Sequence, residues 1–107
     1  MTMTWEELKS IDVEAAEHYD GMNSYFAGII TLESKSGDVE TISMPFQYGY
    51  GSQWEYEAGL QVQKRFPRTN FAKEGCPLWG VKDRYKKELY KNKTDGKSQR
   101  YLENLVK

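Results

Sequence analysis

Residues able to do nucleophilic, acid–base or metal chemistry are few: the chain holds one histidine, His18, and one cysteine, Cys76. A cysteine and histidine zinc centre draws on several such ligands, so none is expected. Any thiol and imidazole pair is limited to Cys76 with His18. A lone cysteine forms no internal disulfide, and Cys76 reads as a small buried side chain. Glu14 and His18 stand four apart with Glu17 and Asp20 close by, which on a helix would offer a metal an imidazole and carboxylates. Without a second cluster they read as solvated acids beside a histidine, and no metal is expected. Glu55 and Glu57 flank Tyr56, but a spacing of two on a helix points them apart, unlike a working acid and base pair. Tyr48-Gly49-Tyr50-Gly51-Ser52 precedes a helix signal yet lacks the Lys-Ser/Thr ending of a phosphate loop, so it reads as a tight turn. With no placed constellation and no cofactor fingerprint, the chain is expected to be non-enzymatic and to carry no cofactor.

What remains is charge and aromatic rings. Residues 1 to 60 carry eleven carboxylates against Lys9 and Lys35, a net of -9, whereas residues 61 to 107 carry thirteen Lys and Arg against five carboxylates, a net of +8. Asymmetry of this kind points either to a charged partner or to two halves that neutralise each other in the fold. In the acidic half, Glu14, Glu17, Asp20, Glu33, Asp38 and Glu40 are candidate steering charges for a basic partner surface. Tyr48, Tyr50 and Trp79 are candidate aromatic anchors, because they lie in stretches broken by glycine or proline. In the basic half, Lys82, Arg84, Lys86, Lys87, Lys91, Lys93, Lys97 and Arg100 interleave with Tyr85, Tyr90 and Tyr101, a mixture suited to phosphate contact and base stacking. A solvated, lysine-rich helix pair with its tyrosines turned inward accounts for the same residues.

The elements that must position these groups belong to one domain, residues 1–107, since a chain of this length rarely builds two cores. Its longest apolar stretch, Phe26 to Ile30, falls far short of the roughly 20 residues a membrane helix needs, and the N-terminal residues lack the pattern of an export signal. No membrane partner is expected, and the cytoplasm is the expected location. Thr4 and Glu7 fit a capping box, predicting a short helix over about residues 5–10 with Trp5, Leu8 and Ile11 on one side, extendable to His18. The alternative for Val13 to Tyr19 is a strand closing a hairpin through Asp20-Gly21. Tyr25 to Glu33 and Val39 to Phe46, joined by Ser34 to Asp38, predict a hairpin whose second arm turns Glu40, Ile42, Met44 and Phe46 to the core, with Pro45 marking an edge. Ser52 and Glu55 form a second capping-box signature opening a helix over 53–65, with Trp54, Ala58, Val62 and Phe66 as its apolar stripe before Pro67. Residues 67–80 read as an irregular loop. Val81, Tyr85 and Leu89 predict a helix over about 81–91, and Tyr101, Leu102, Leu105 and Val106 a last helix after an Asp95-Gly96 turn. The expected fold class is α+β: a small antiparallel sheet of two or three strands packed by a central helix, with a C-terminal helix pair.

Ile29-Ile30-Thr31-Leu32, followed after a turn by Ile42 to Ser52, resembles a hairpin pattern in small bacteriophage-encoded accessory proteins of the anti-CRISPR-like class, over residues 25–52. The resemblance implies an inhibitor of host defence acting in the host cell cytoplasm, and it carries over no individual residue. Joined to the charge reading, it predicts a protein whose acidic half faces the basic surface of a host nucleic-acid-binding complex. The alternative is a small DNA- or RNA-binding protein that uses Lys82, Arg84, Lys86, Lys87, Lys91 and Arg100.

Overall fold

The computed structural model describes residues 3–106. Strands β1 (Leu8–Tyr19), β2 (Ser24–Ser34), β3 (Val39–Tyr48) and β4 (Glu88–Thr94) form one sheet in the order β3-β2-β1-β4. The first three are antiparallel neighbours, and β4 returns alongside β1 in parallel. The fold is α+β, but its sheet is four-stranded and mixed rather than an antiparallel sheet of two or three strands.

The predicted first helix is replaced by β1. The Thr4 and Glu7 bonds do form, with Thr4 N donating to Glu7 Oε1 at 3.0 Å and Glu7 N to Thr4 Oγ1 at 3.3 Å. They close only a turn. From Ser10 to Ala16 the chain lies between two other strands, and Ile11, Val13 and Ala15 enter the core at every second position. Helix preference differs by only about half a kcal/mol per residue among ordinary residues, too little to outweigh pairing along both sides of a strand. The Asp20-Gly21 turn then closes the alternative hairpin, with Asp20 Oδ1 accepting from the N–H groups of Met22 and Asn23.

The hairpin of β2 and β3 forms as its pattern predicts, with one correction. Ile42 and Met44 face the core, but a bulge opposite Phe26 to Gly28 turns Phe46 to the other side of the sheet, where it stacks on Tyr25 at 5.0 Å. A bulge adds one unpaired residue and so exchanges the two faces beyond it. At this place Gly28 is required: a Cβ there would meet Glu14 O at 2.6 Å and Met44 Cε at 2.8 Å.

Helix α1 (Gln53–Arg65) has the predicted bounds, and Trp54, Ala58, Val62 and Phe66 are all buried against the sheet. Ser52 makes no side-chain capping bond, so the second capping box is not formed. The 67–80 loop contains α2 (Asn70–Lys73), capped by Thr69 Oγ1, and a 3-10 turn at Leu78–Gly80. Phe71 of this segment is fully buried and stacks on Trp5 at 5.2 Å.

The predicted 81–91 helix is also corrected. Helix α3 (Val81–Tyr85) stops at Lys86, whose φ of 59° is left-handed, and the chain continues as β4. Val81, Tyr85 and Leu89 do meet the same core, the first two from a helix and the third from a strand. The C-terminal helix pair is therefore absent. Helix α4 (Gln99–Leu105) lies alone on the second face of the sheet, where Leu102 packs on Ala16 and Ala27, joined by Phe46, Leu105 and Val106. The main core fills the opposite face under α1, α2 and α3.

Candidate protein-binding face

Away from α4, no described element covers the second face of the sheet, and strand register fixes what it displays. Side chains alternate between faces, so residues paired across strands share a side. Glu33 and Glu88 flank Ser10 on the two sides of β1; in the next row Thr41, Thr31, Asp12 and Tyr90 lie across the four strands; in the next come Ser43, Ile29, Glu14 and Asn92. Asp12, Glu14, Glu33 and Glu88 thus occupy one face, none of them in an ion pair among the described residues. The Tyr90 hydroxyl donates to Glu88, and that bond, reinforced by the charge of Glu88 and of the nearby Glu33 and Asp12, raises the phenol above its ordinary value. These carboxylates therefore lie close enough for one ring to feel several of them.

The six expected steering charges divide. Glu14 and Glu33 belong to the open face. Glu17 points to the helical side and pairs with Lys93 at 3.4 Å, and Glu40 pairs with Arg65, which binds through both Nε and Nη2. Asp20 and Asp38 sit in the turns at opposite ends of the sheet. Two backbone N–H groups, from Asn23 first and Met22 second, hold the Asp20 carboxyl below its usual range.

The aromatic anchors divide as well. Tyr48 and Tyr50 pack edge to face at 5.2 Å beside the Asp20 turn, and the Tyr50 hydroxyl donates to Met22 O at 3.1 Å. Trp79 lies on the helical side, where it and Tyr56 are exposed on a groove of about 410 Å³ between α1 and residues 75–79.

The basic set is scattered. Lys87 is buried, Lys91 pairs with Glu55 at 3.0 Å, Lys82, Arg84 and Lys86 are exposed around α3, and Arg100 stands on α4 at the other side of the sheet. No single stripe joins them.

Other sequence candidates do not converge. His18 Nδ1 donates to Lys97 O at 2.9 Å on the α4 side of the sheet, while Cys76 is buried in the main core. Glu14 and His18 share a face, Glu17 points to the other and Asp20 is held in its turn. Glu55 and Glu57 have separate partners, Lys91 and Gln61.

Asp12, Glu88 and Tyr90 were missed as members of one face. Asp12 and Glu14 carry a signal, two acids at strand spacing, that is visible only if residues 8–19 are taken as extended. Glu88 and Tyr90 carry none, since a helix and a strand place them on different neighbours.

The chain matches no family model, no curated protein and no solved structure.

Proposed function

We propose that this chain is a non-enzymatic binding protein whose open sheet face docks on a basic, nucleic-acid-binding surface of another protein and competes there with the nucleic acid. One observation carries the reading: Asp12, Glu14, Glu33 and Glu88 share an uncovered face without internal counter-ions among the described residues. Like charges held on a rigid sheet raise the local potential, which speeds encounter with an opposite patch and excludes acidic partners. The resemblance of residues 25–52 to phage accessory proteins supports a competitor of this kind, and the dispersal of the basic residues weighs against direct nucleic-acid binding.

The test is affinity capture from a lysate of the source cell with wild type and with a variant carrying Asp12→Lys, Glu14→Lys and Glu33→Lys, checked for folding by circular dichroism. The wild type is expected to retain a protein that added duplex DNA releases, and the variant to lose about tenfold or more in association rate at low salt. A folded variant that captures the same protein at an unchanged rate rules the acidic face out.

A further inference from the structure

We propose that the outer edge of β4 accepts an additional strand, an extended arginine-bearing segment of the basic partner, laid so that an arginine crosses Tyr90. The proposal rests on the acidic-face reading and adds to it the form and side chain of the partner.

The two edges of the sheet differ in how they are guarded. Exposed edges invite strand addition, and proteins blunt them with proline, bulges or outward lysines. β3 carries Pro45 and the bulge opposite Phe26 to Gly28. β4 has neither, and its register against β1 runs without interruption from Glu88 to Thr94. Its two lysines are drawn back over the helical side, Lys91 to Glu55 at 3.0 Å and Lys93 to Glu17 at 3.4 Å. Among the described residues β4 pairs only with β1, and none of its seven residues is buried. A lysine that guards an edge elsewhere is here held by an acid of α1 or of β1.

The face of that edge selects the occupant. Glu88, Tyr90 and Asn92 lie on the open side, with Glu33 and Asp12 in the neighbouring rows. Alternate side chains of an added strand would enter these same rows. Tyr90 is 54% exposed, and its ring offers a π face beside carboxylates. A guanidinium can stack on such a ring while its forked donors reach a carboxylate, which a compact ammonium does less well. A second copy of the chain fits poorly, because pairing two β4 edges would set two groups of four carboxylates side by side in one sheet.

The experiment uses the full chain, isotope-labelled for NMR, and three synthetic heptapeptides: Thr-Val-Arg-Val-Arg-Val-Thr and its lysine and glutamate counterparts. The arginine peptide is expected to shift the amides of Glu88–Thr94 and slow their exchange, the lysine peptide to bind more weakly and the glutamate peptide not to bind. Tyr90→Leu should weaken the arginine peptide about fivefold, equivalent to about 1 kcal/mol, while Tyr90→Phe retains its affinity. Shifts on Asp12, Glu14 and Glu33 without protection of the β4 amides would overturn the edge and leave the acidic face standing. Binding of the glutamate peptide, absence of arginine-peptide binding, or a dimer of the chain alone that protects the same amides would also overturn it.

Discussion

Lys87 shows how one residue acquires a role its neighbours in sequence do not share. It lies in a run of lysines, yet it is 8% exposed, and its Nζ donates to Trp5 O at 2.6 Å and Leu8 O at 2.8 Å while lying 4.9 Å from the Trp5 ring. Burial first, and Lys35 second, hold its pKa below the ordinary 10.5. It clamps the N-terminal turn to the start of β4. Lys87→Met keeps the apolar stem but removes the donor shared by two carbonyls, leaving Trp5 O with the Leu8 N–H alone, so a loss of about 1–3 kcal/mol is expected from urea unfolding. An unchanged unfolding midpoint would remove Lys87 from the list of structural contacts.

Between elements, edge strand β3 shares the main core with α1 through Ile42 and Met44 and is also tied to it by an ion pair. Arg65 holds Glu40 through Nε and Nη2, the latter at 2.9 Å, and Nη2 also donates to Met3 O. The hydrogen bond from Arg65 lowers the Glu40 pKa below the ordinary 4.5. A carboxylate whose folded pKa is depressed contributes its stability fully above the unfolded value and loses it as pH falls through the folded one. The melting temperature of wild type should therefore fall more steeply from about pH 5 to about pH 3 than that of Glu40→Gln. Equal slopes would show that the pair contributes nothing to stability. Exposure of both side chains, 22% and 32%, keeps the effect modest.

At the scale of the whole molecule, the charge asymmetry is partly resolved inside the fold: Glu17, Glu40 and Glu55 of the acidic half pair with Lys93, Arg65 and Lys91 of the basic half. Of the other carboxylates, Asp12, Glu14, Glu33 and Glu88 lie together on the open face of the sheet. The apolar residues form two unequal clusters, a main core under α1 to α3 and a small one under α4. Leu102, fully buried in the small one, is the inward anchor of a seven-residue helix. Leu102→Ala should cost about 2–5 kcal/mol and appear first as faster amide exchange in α4, with the α1 amides unchanged. Equal acceleration in both helices would mean that α4 opens only with the whole domain.

Sequence alone determined the elements whose signals are local. The β2 and β3 hairpin followed from β-favouring runs around a turn, and α1 from an apolar residue at every fourth position ended by Pro67. Elements whose conformation depends on distant pairing were decided only by the tertiary structure. Thr4 and Glu7 satisfy a helix start and Ala15 and Ala16 favour helix, but β1 is extended because β2 and β4 bond it on both sides. Val81, Tyr85 and Leu89 fit a helical spacing by coincidence of the core they share, because β4 exists only where β1 offers an edge. The candidate face depends on both of these strands. Glu14 and Glu33 were legible as acids, but their union with Asp12, Glu88 and Tyr90 is a matter of register, which no local spacing encodes.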